Sequence, residues 1–266
     1  MSSNGQNTTR LEHLSALPRP LYGQHASLPN VALDYRHRHP WNQLSHALDG
    51  VLQVHTDQAR LVVPPHRAVW VPAHLAHRVT CSADACIRSL YLDPALALWP
   101  GEQCRVIAID PLLRELIRAF GELPVDYDLE GADGRLAAVL VDRLRLAEEL
   151  DLVLPQPRDP RLRALCRKAQ ARPHASIGLG DASEKAGVSE KTLSRLFLKE
   201  TGMTFRTWRQ RMRLVSALPA LERGERVTDV ALACGYDSLS AFIAAFGKLF
   251  GLSPGELARG GSVPHA

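Results

Sequence analysis

The 266-residue chain is short of the features that mark several large classes of protein. It has no apolar run of 18 residues or more, so no transmembrane helix is expected. Its first twenty residues, MSSNGQNTTRLEHLSALPRP, lack the apolar centre of a secretory signal and read as a disordered tail. Five scattered cysteines (Cys81, Cys86, Cys104, Cys166 and Cys234) form no CxxC pair. Reduced thiols and a cytoplasmic location are expected. No GxxxxGK[ST] phosphate loop, GxGxxG turn or Ser/His/Asp set stands out, which leaves little support for an enzyme.

Charge is present but unevenly shared. Residues 155–266 carry 18 Lys and Arg against 10 Asp and Glu, a net of +8, while residues 1–154 carry 14 against 18, a net of −4. An acidic half joined to a basic half points the second half towards a polyanion.

The two halves also differ in periodicity. Over residues 31–93, short runs such as VLQVHT (51–56), RLVVP (60–64), AVWVP (68–72) and IRSLYL (87–92) are rich in β-branched and aromatic residues. Turn residues separate them, as in a small barrel or jelly roll. The spacing then becomes helical: helices are expected over 110–122, with Pro111 at the first position, and over 132–150. Such a pair either covers a sheet or joins two copies of the chain. LPQPRDP (154–160), with three prolines, reads as an extended linker. The fold class expected is α+β, with a β-rich half over 21–153 and an all-α half over 161–260.

Within the helical half, two stretches repeat one pattern. In GLGDASEKAGVSEKTLSRLFLKETG (178–202), Gly187 supplies a turn and Ser189 an N-cap. Leu193, Leu196 and Phe197 then face inward, and Lys191, Ser194, Arg195 and Lys199 face outward. In VTDVALACGYDSLSAFIAAFGKLFG (227–251), Gly235 and Ser238 play the same parts. Phe242, Phe246, Leu249 and Phe250 make the buried stripe, and Leu239, Ser240, Ile243 and Ala244 are left near the exposed side. Two helix-turn-helix units are therefore expected, over 178–200 and 227–250. Between them a helix over 204–223 carries Arg206, Arg209, Arg211 and Arg213. At 1.5 Å per residue it would span roughly 30 Å, close to one turn of B-DNA. Pro219 inside it is expected to kink or shorten it.

Residues 160–258 closely resemble the AraC/XylS family of transcription regulators. The resemblance rests on AGVSEKTLSRLFLKETGMTF (186–205), RMRL (211–214), VTDVALACGYDSLSAFIAAF (227–246) and FGLSPGEL (250–257). It implies binding to promoter or operator DNA, contact with RNA polymerase and, in many members, pairing of two copies. Carried over, base contacts fall on Lys191, Ser194 and Arg195 and on Leu239, Ser240, Ile243 and Ala244. Lys199, Arg206 and Arg209 are expected on phosphates, where contacts position the protein without specifying sequence. Ala244 stands where many members have a long polar residue, so the second helix is expected to favour thymine methyls or groove shape.

In the β-rich half, His37-Arg38-His39 alternates so that both imidazoles face one side, with Gln43 and His77 further on. Together they resemble the His-x-His, carboxylate, distant-His pattern of cupins, small double-stranded β-barrels that many AraC-type regulators use to sense an effector. A divalent transition metal (Zn²⁺, Ni²⁺, Fe²⁺ or Cu²⁺) would suit three imidazoles. Gln43, however, puts a weak, uncharged ligand in the carboxylate's place. The cluster is thus a metal site, the polar lining of a small-molecule pocket, or a set of ordinary histidines. Trp41, Trp70 and Tyr91 are candidate pocket walls or packed core. The function expected is a DNA-binding regulator controlled by a small-molecule or metal effector. The alternative is a metal-dependent cupin enzyme fused to a DNA-binding domain.

Overall fold

The computed structural model describes residues 14, 16–24, 35–81 and 86–259. Most of the expected tail, residues 1–13 and 15, lies outside them. The tail's end is placed: Arg19 donates from Nε to the Tyr127 carbonyl (3.0 Å) and from Nη2 to that of Asp126 (2.9 Å). The chain divides into two units, residues 1–54 with 65–150, and residues 55–64 with 151–266. No helix among the described residues is long and apolar enough to cross a membrane.

The first unit is built on a six-stranded antiparallel sheet, made of β1 (Leu21–Tyr22), β2 (Asn42–Asp49), β5 (Arg67–Val71), β7 (Cys86–Leu92), β8 (Arg105–Ala108) and β9 (Glu149–Leu150). Their order is β1-β7-β2-β5-β8-β9. Two further strands are β3 (Leu52–Thr56) and β6 (His77–Cys81). Strand alternation gives the sheet two different faces. One face presents Leu44, Ala68, Trp70, Leu90 and Ile107 to the helices α1 (Pro111–Gly121) and α2 (Ala132–Arg145). These helices return Leu113, Ile117, Phe120, Leu140 and Leu144. The helix pair therefore covers a sheet. Asp110 caps α1, accepting from the Leu113 N–H (2.7 Å), and its other oxygen accepts from Arg143 of α2 (2.8 Å).

The predicted helix over 132–150 is shorter in the structure. It ends at Arg145, and Glu149–Leu150 form β9 beside β8. Acidic Glu148 and Glu149 would sit unfavourably at the negative end of a longer helix.

In the second unit, β4 (Ala59–Val63) pairs with β10 (Leu154–Pro155). The predicted linker 154–160 is thus fixed at its start. Leu154 is buried, the Gln156 N–H donates to the Gln58 carbonyl (2.7 Å), and Trp208 Nε1 donates to the Pro155 carbonyl (2.8 Å). Helices follow: α3 (Pro160–Ala171), α4 (Leu179–Ala186), α5 (Glu190–Thr201), α6 (Phe205–Glu222), α7 (Val227–Ala233), α8 (Leu239–Phe250) and α9 (Pro254–Ala258). One core gathers Leu162, Leu165, Leu193, Phe197, Trp208 and Met212. Pro219 neither breaks nor shortens α6, which runs 18 residues, about 27 Å, to Glu222. The proline lies in the last turn, where a single backbone donor is given up.

Candidate DNA interface and effector site

Both predicted helix-turn-helix units form, as α4–α5 and α7–α8. Ser189 caps α5 by accepting from the Thr192 N–H (3.2 Å), and Ser238 caps α8 by accepting from the Ala241 N–H (3.3 Å). At Gly235, between α7 and α8, φ is +80°, and a Cβ would lie 2.8 Å from the Cα of His174 and 2.9 Å from Arg213 Nη2. Glycine is required there both by conformation and by space.

Each second helix is split cleanly. On α5, Leu193 and Phe197 are buried, while Lys191, Ser194, Arg195 and Lys199 are exposed. On α8, Phe242, Phe246 and Phe250 are buried, and Ser240 and Ala244 are exposed. Leu239 and Ile243 are exposed as well, at 39% and 40%. Leu196 and Leu249, both expected in the buried stripes, are half-buried. A groove of about 640 Å³ is lined by Gly178, Ser194, Thr204, Arg206, Arg213 and Tyr236, among others, so the exposed face of α5 continues onto the start of α6.

The arginines of α6 are not equivalent. Arg206 is exposed. Arg209 donates from Nη1 to the Ile177 carbonyl at 2.7 Å while lining the groove with Arg206, and partial burial lowers its pKa. Arg211 is buried and grips both carboxylate oxygens of Asp151 (2.6 and 2.5 Å) together with the Val153 carbonyl (2.8 Å). Arg213 donates to the carbonyls of Pro173 (2.9 Å) and Gly235 (3.2 Å). The arginine-rich helix is mainly a fastener for its own unit. The internal roles of Arg211 and Asp151 were missed by sequence reading, although Arg211 lies three residues after Trp208, on the buried stripe.

In the first unit, His37 and His77 pair backbone to backbone, each N–H donating to the other's carbonyl at 2.9 Å. The His74 N–H holds the His39 carbonyl at 2.7 Å. This pairing brings the imidazoles of His37, His39 and His77 together, with one nitrogen of each within 4.8 Å of the others. Gln43, from β2, lies between two of them. Its Oε1 is 2.9 Å from His39 Nε2 and 3.0 Å from His77 Nε2. Its Nε2 donates to Ser45 Oγ (2.8 Å), which is 2.8 Å from Ser89 Oγ, and Ser89 bonds the buried Tyr91. Burial pushes the His77 pKa down to about 4 and lowers that of His39, so both rings are neutral near pH 7.

The aromatic candidates separate. Trp41 stacks on His39 (5.4 Å, 9°), and Tyr91 meets His39 edge-on (5.9 Å). Both are buried in a small cluster with Tyr22. Trp70 belongs elsewhere. Leu44 pairs with Trp70 while Gln43 pairs with Val71, so Trp70 points to the opposite face, under α1 and α2. Ser45 and Ser89 were not anticipated as part of the site. Their signal was present as polar residues at alternate positions of two largely apolar strands.

A helix-turn-helix domain family matches residues 182–260, and an AraC-like ligand-binding domain family matches residues 20–145. The HTH-type transcriptional regulator NimR of Escherichia coli is 36% identical over 222 residues, spanning 83% of this chain and 80% of NimR. The chain belongs to the AraC family of transcriptional regulators. RipA of Corynebacterium glutamicum, also an HTH-type transcriptional regulator, is 33% identical over 116 residues, 42% of this chain and 34% of RipA. ToxT of Vibrio cholerae, a solved structure, is 11% identical with a TM-score of 0.39, covering 92% of this chain and 98% of that one. As an AraC-family member, the chain joins a ligand-binding domain of the cupin-like AraC type to a DNA-binding helix-turn-helix domain. Its relatives are named as regulators, not as enzymes.

Proposed function

We propose that this regulator reads its operator with the outward faces of α5 and α8 and that an effector acts at the His37–His39–His77–Gln43 cluster of the ligand-binding domain. On α5 the reading side chains are Lys191, Ser194 and Arg195, with Arg195 suited to bidentate contact with guanine. On α8 they are Leu239, Ser240, Ile243 and Ala244, whose short and apolar side chains suit thymine methyls and groove shape. Lys199, Arg206 and Arg209 take phosphates; Arg209 lines the same groove as Arg206, and its bond to the Ile177 carbonyl uses one of its five N–H donors. The protein works where the chromosome is, in the cytoplasm.

One observation carries the DNA reading. On both second helices the predicted contact residues are exposed, while the opposite stripe is buried. Footprinting of the purified full chain on DNA from its own chromosomal neighbourhood, across a range of salt, tests the proposal. A discrete footprint is expected, weakening steeply as salt rises. A footprint left unchanged by Lys191→Ala together with Arg195→Ala would remove α5 from the reading.

A further inference from the structure

The arginines of α6 differ in how their charge is met. Arg211 is paired with Asp151. Arg206, Arg209 and Arg213 make no ion pair among the described residues, and all three line one groove. Their hydrogen-bond partners there are carbonyls alone: that of Ile177 for Arg209, and those of Pro173 and Gly235 for Arg213. These bonds leave Nε and Nη2 of Arg209 and Nη2 of Arg213 with hydrogens to give. Burial and then the charge of Arg213 lower the Arg209 pKa, as is expected of cations gathered without an anion.

The groove also joins the two helix-turn-helix units. Ser194 of α5 contributes to its lining from the first unit, and Tyr236, just ahead of the Ser238 cap of α8, from the second. Arg206, Arg209, Gln210 and Arg213 share one face of α6 between them. From Arg206 to Arg213 the helix axis advances about 10 Å, more than a single phosphate group covers. Glu190, in the first turn of α5, is the one carboxylate of the lining, and it pairs with none of the three arginines. A row of cations beside a lone carboxylate suits successive phosphates fixed on one strand better than one free anion.

Resting on the reading of α5 and α8 as the operator-contacting helices, we infer that this groove holds the phosphodiester backbone of the operator strand that runs between the two half-motifs, with Gln210 and Arg213 joining Arg206 and Arg209 as positioning residues. Gln210 is exposed, and its amide can donate to a phosphate oxygen. Arg213 is the more informative of the two. One end of its guanidinium holds Gly235 in the turn before α8, and its Nη2 faces a phosphate. Arg209 does the same for Ile177, just before α4. The central strand is thus tied through α6 to both helix-turn-helix units, which fixes the spacing of the half-motifs without touching a base.

The test places one neutral methylphosphonate linkage at each backbone position in turn of a duplex carrying the footprinted sequence, and measures its affinity for the full chain. For the wild type, a loss of about 3-fold to 10-fold is expected at linkages between the half-motifs. Gln210→Glu should weaken the unmodified duplex about tenfold and the centrally neutral duplexes much less, with melting temperature and preferred bases unchanged. Glu190→Gln should tighten the unmodified duplex about threefold. Central linkages that can be neutralised without loss, or a Gln210→Glu penalty equal on every duplex, would overturn the inference. Titration of the DNA-free chain with inorganic phosphate separates the other source of the same chemistry. Saturable binding that Gln210→Glu abolishes, with the central linkages silent, would make the groove a free-anion site and contradict the strand. A discrete footprint indifferent to the central linkages would sink the groove alone and leave α5 and α8 as readers. No footprint on any sequence would remove that reading, and the strand in the groove with it.

Discussion

Arg195 and Arg206 carry the same charge and are placed for different work. Arg195 stands on the exposed face of α5, in line with Lys191 and Ser194, and in the proposed reading its guanidinium meets base edges. Arg195→Ala is expected to weaken operator binding by about 1–3 kcal/mol and to relax preference at one base pair, measured by binding to a panel of single-base operator variants. Arg206 lines the groove at the start of α6. Arg206→Ala should weaken all sequences about equally and reduce the slope of log affinity against log salt by about one. Arg211 belongs to neither class. Arg211→Met should leave the footprint's sequence unchanged and cost about 1–3 kcal/mol of stability in thermal denaturation, because the Val153 carbonyl loses its partner. Sequence spacing exposed the difference between Arg195 and the buried phenylalanine and leucine positions of α5. It did not expose the difference between Arg206, Arg209 and Arg211, because the carbonyls that engage the latter two lie 32 and 58 residues away in the chain.

At the scale of elements, local signals were legible and non-local ones were not. The caps Ser189 and Ser238, the turn glycines and the apolar stripes of α5 and α8 are all set within a few residues, so the two helix-turn-helix units could be read from sequence. Ser189→Ala and Ser238→Ala are each expected to cost about 1 kcal/mol, seen as a lower melting temperature. The start of the predicted linker, by contrast, became β10 because Leu154 finds Arg60 across the sheet, a partner no local spacing reveals. The same is true of the end of α2. The apolar spacing through Leu144 and Ala147 continued the stripe, but pairing of Leu150 with Val106 and of Glu149 with Ile107 drew the chain into β9. The His-x-His alternation was legible as one face of a strand. The Gln43–Ser45–Ser89 chain needed the register of β2 against β7, which sets Ser45 opposite Ser89.

For the molecule as a whole, two properties follow from joining a ligand-binding domain to a DNA-binding one. The first is linkage. If a bound effector changes operator affinity by some factor, operator DNA must change effector affinity by the same factor. The second is acid sensitivity. His46 is buried on β2 beside Arg88, and burial holds its pKa at about 4, below the ordinary 6.5. Between these values the unfolded chain takes up a proton that the folded chain refuses. Stability is therefore full above about pH 6.5 and falls as pH drops towards 4, by about 3 kcal/mol from this residue. A plot of melting temperature against pH should show that decline, to which buried His77, also held at about 4, adds, and His46→Asn should make it shallower by the part His46 contributes.

The most direct test of the account is selection of bound sequences from random duplex DNA by the wild-type chain and by two face variants, Lys191→Ala with Arg195→Ala on α5 and Ser240→Ala with Ile243→Ala on α8. The wild type should enrich one motif with two recognisable parts, and each variant should lose preference in a different part while keeping its fold by circular dichroism. Enrichment of the same complete motif by all three proteins, or of no motif by the wild type, would contradict the claim that these two helices read the operator.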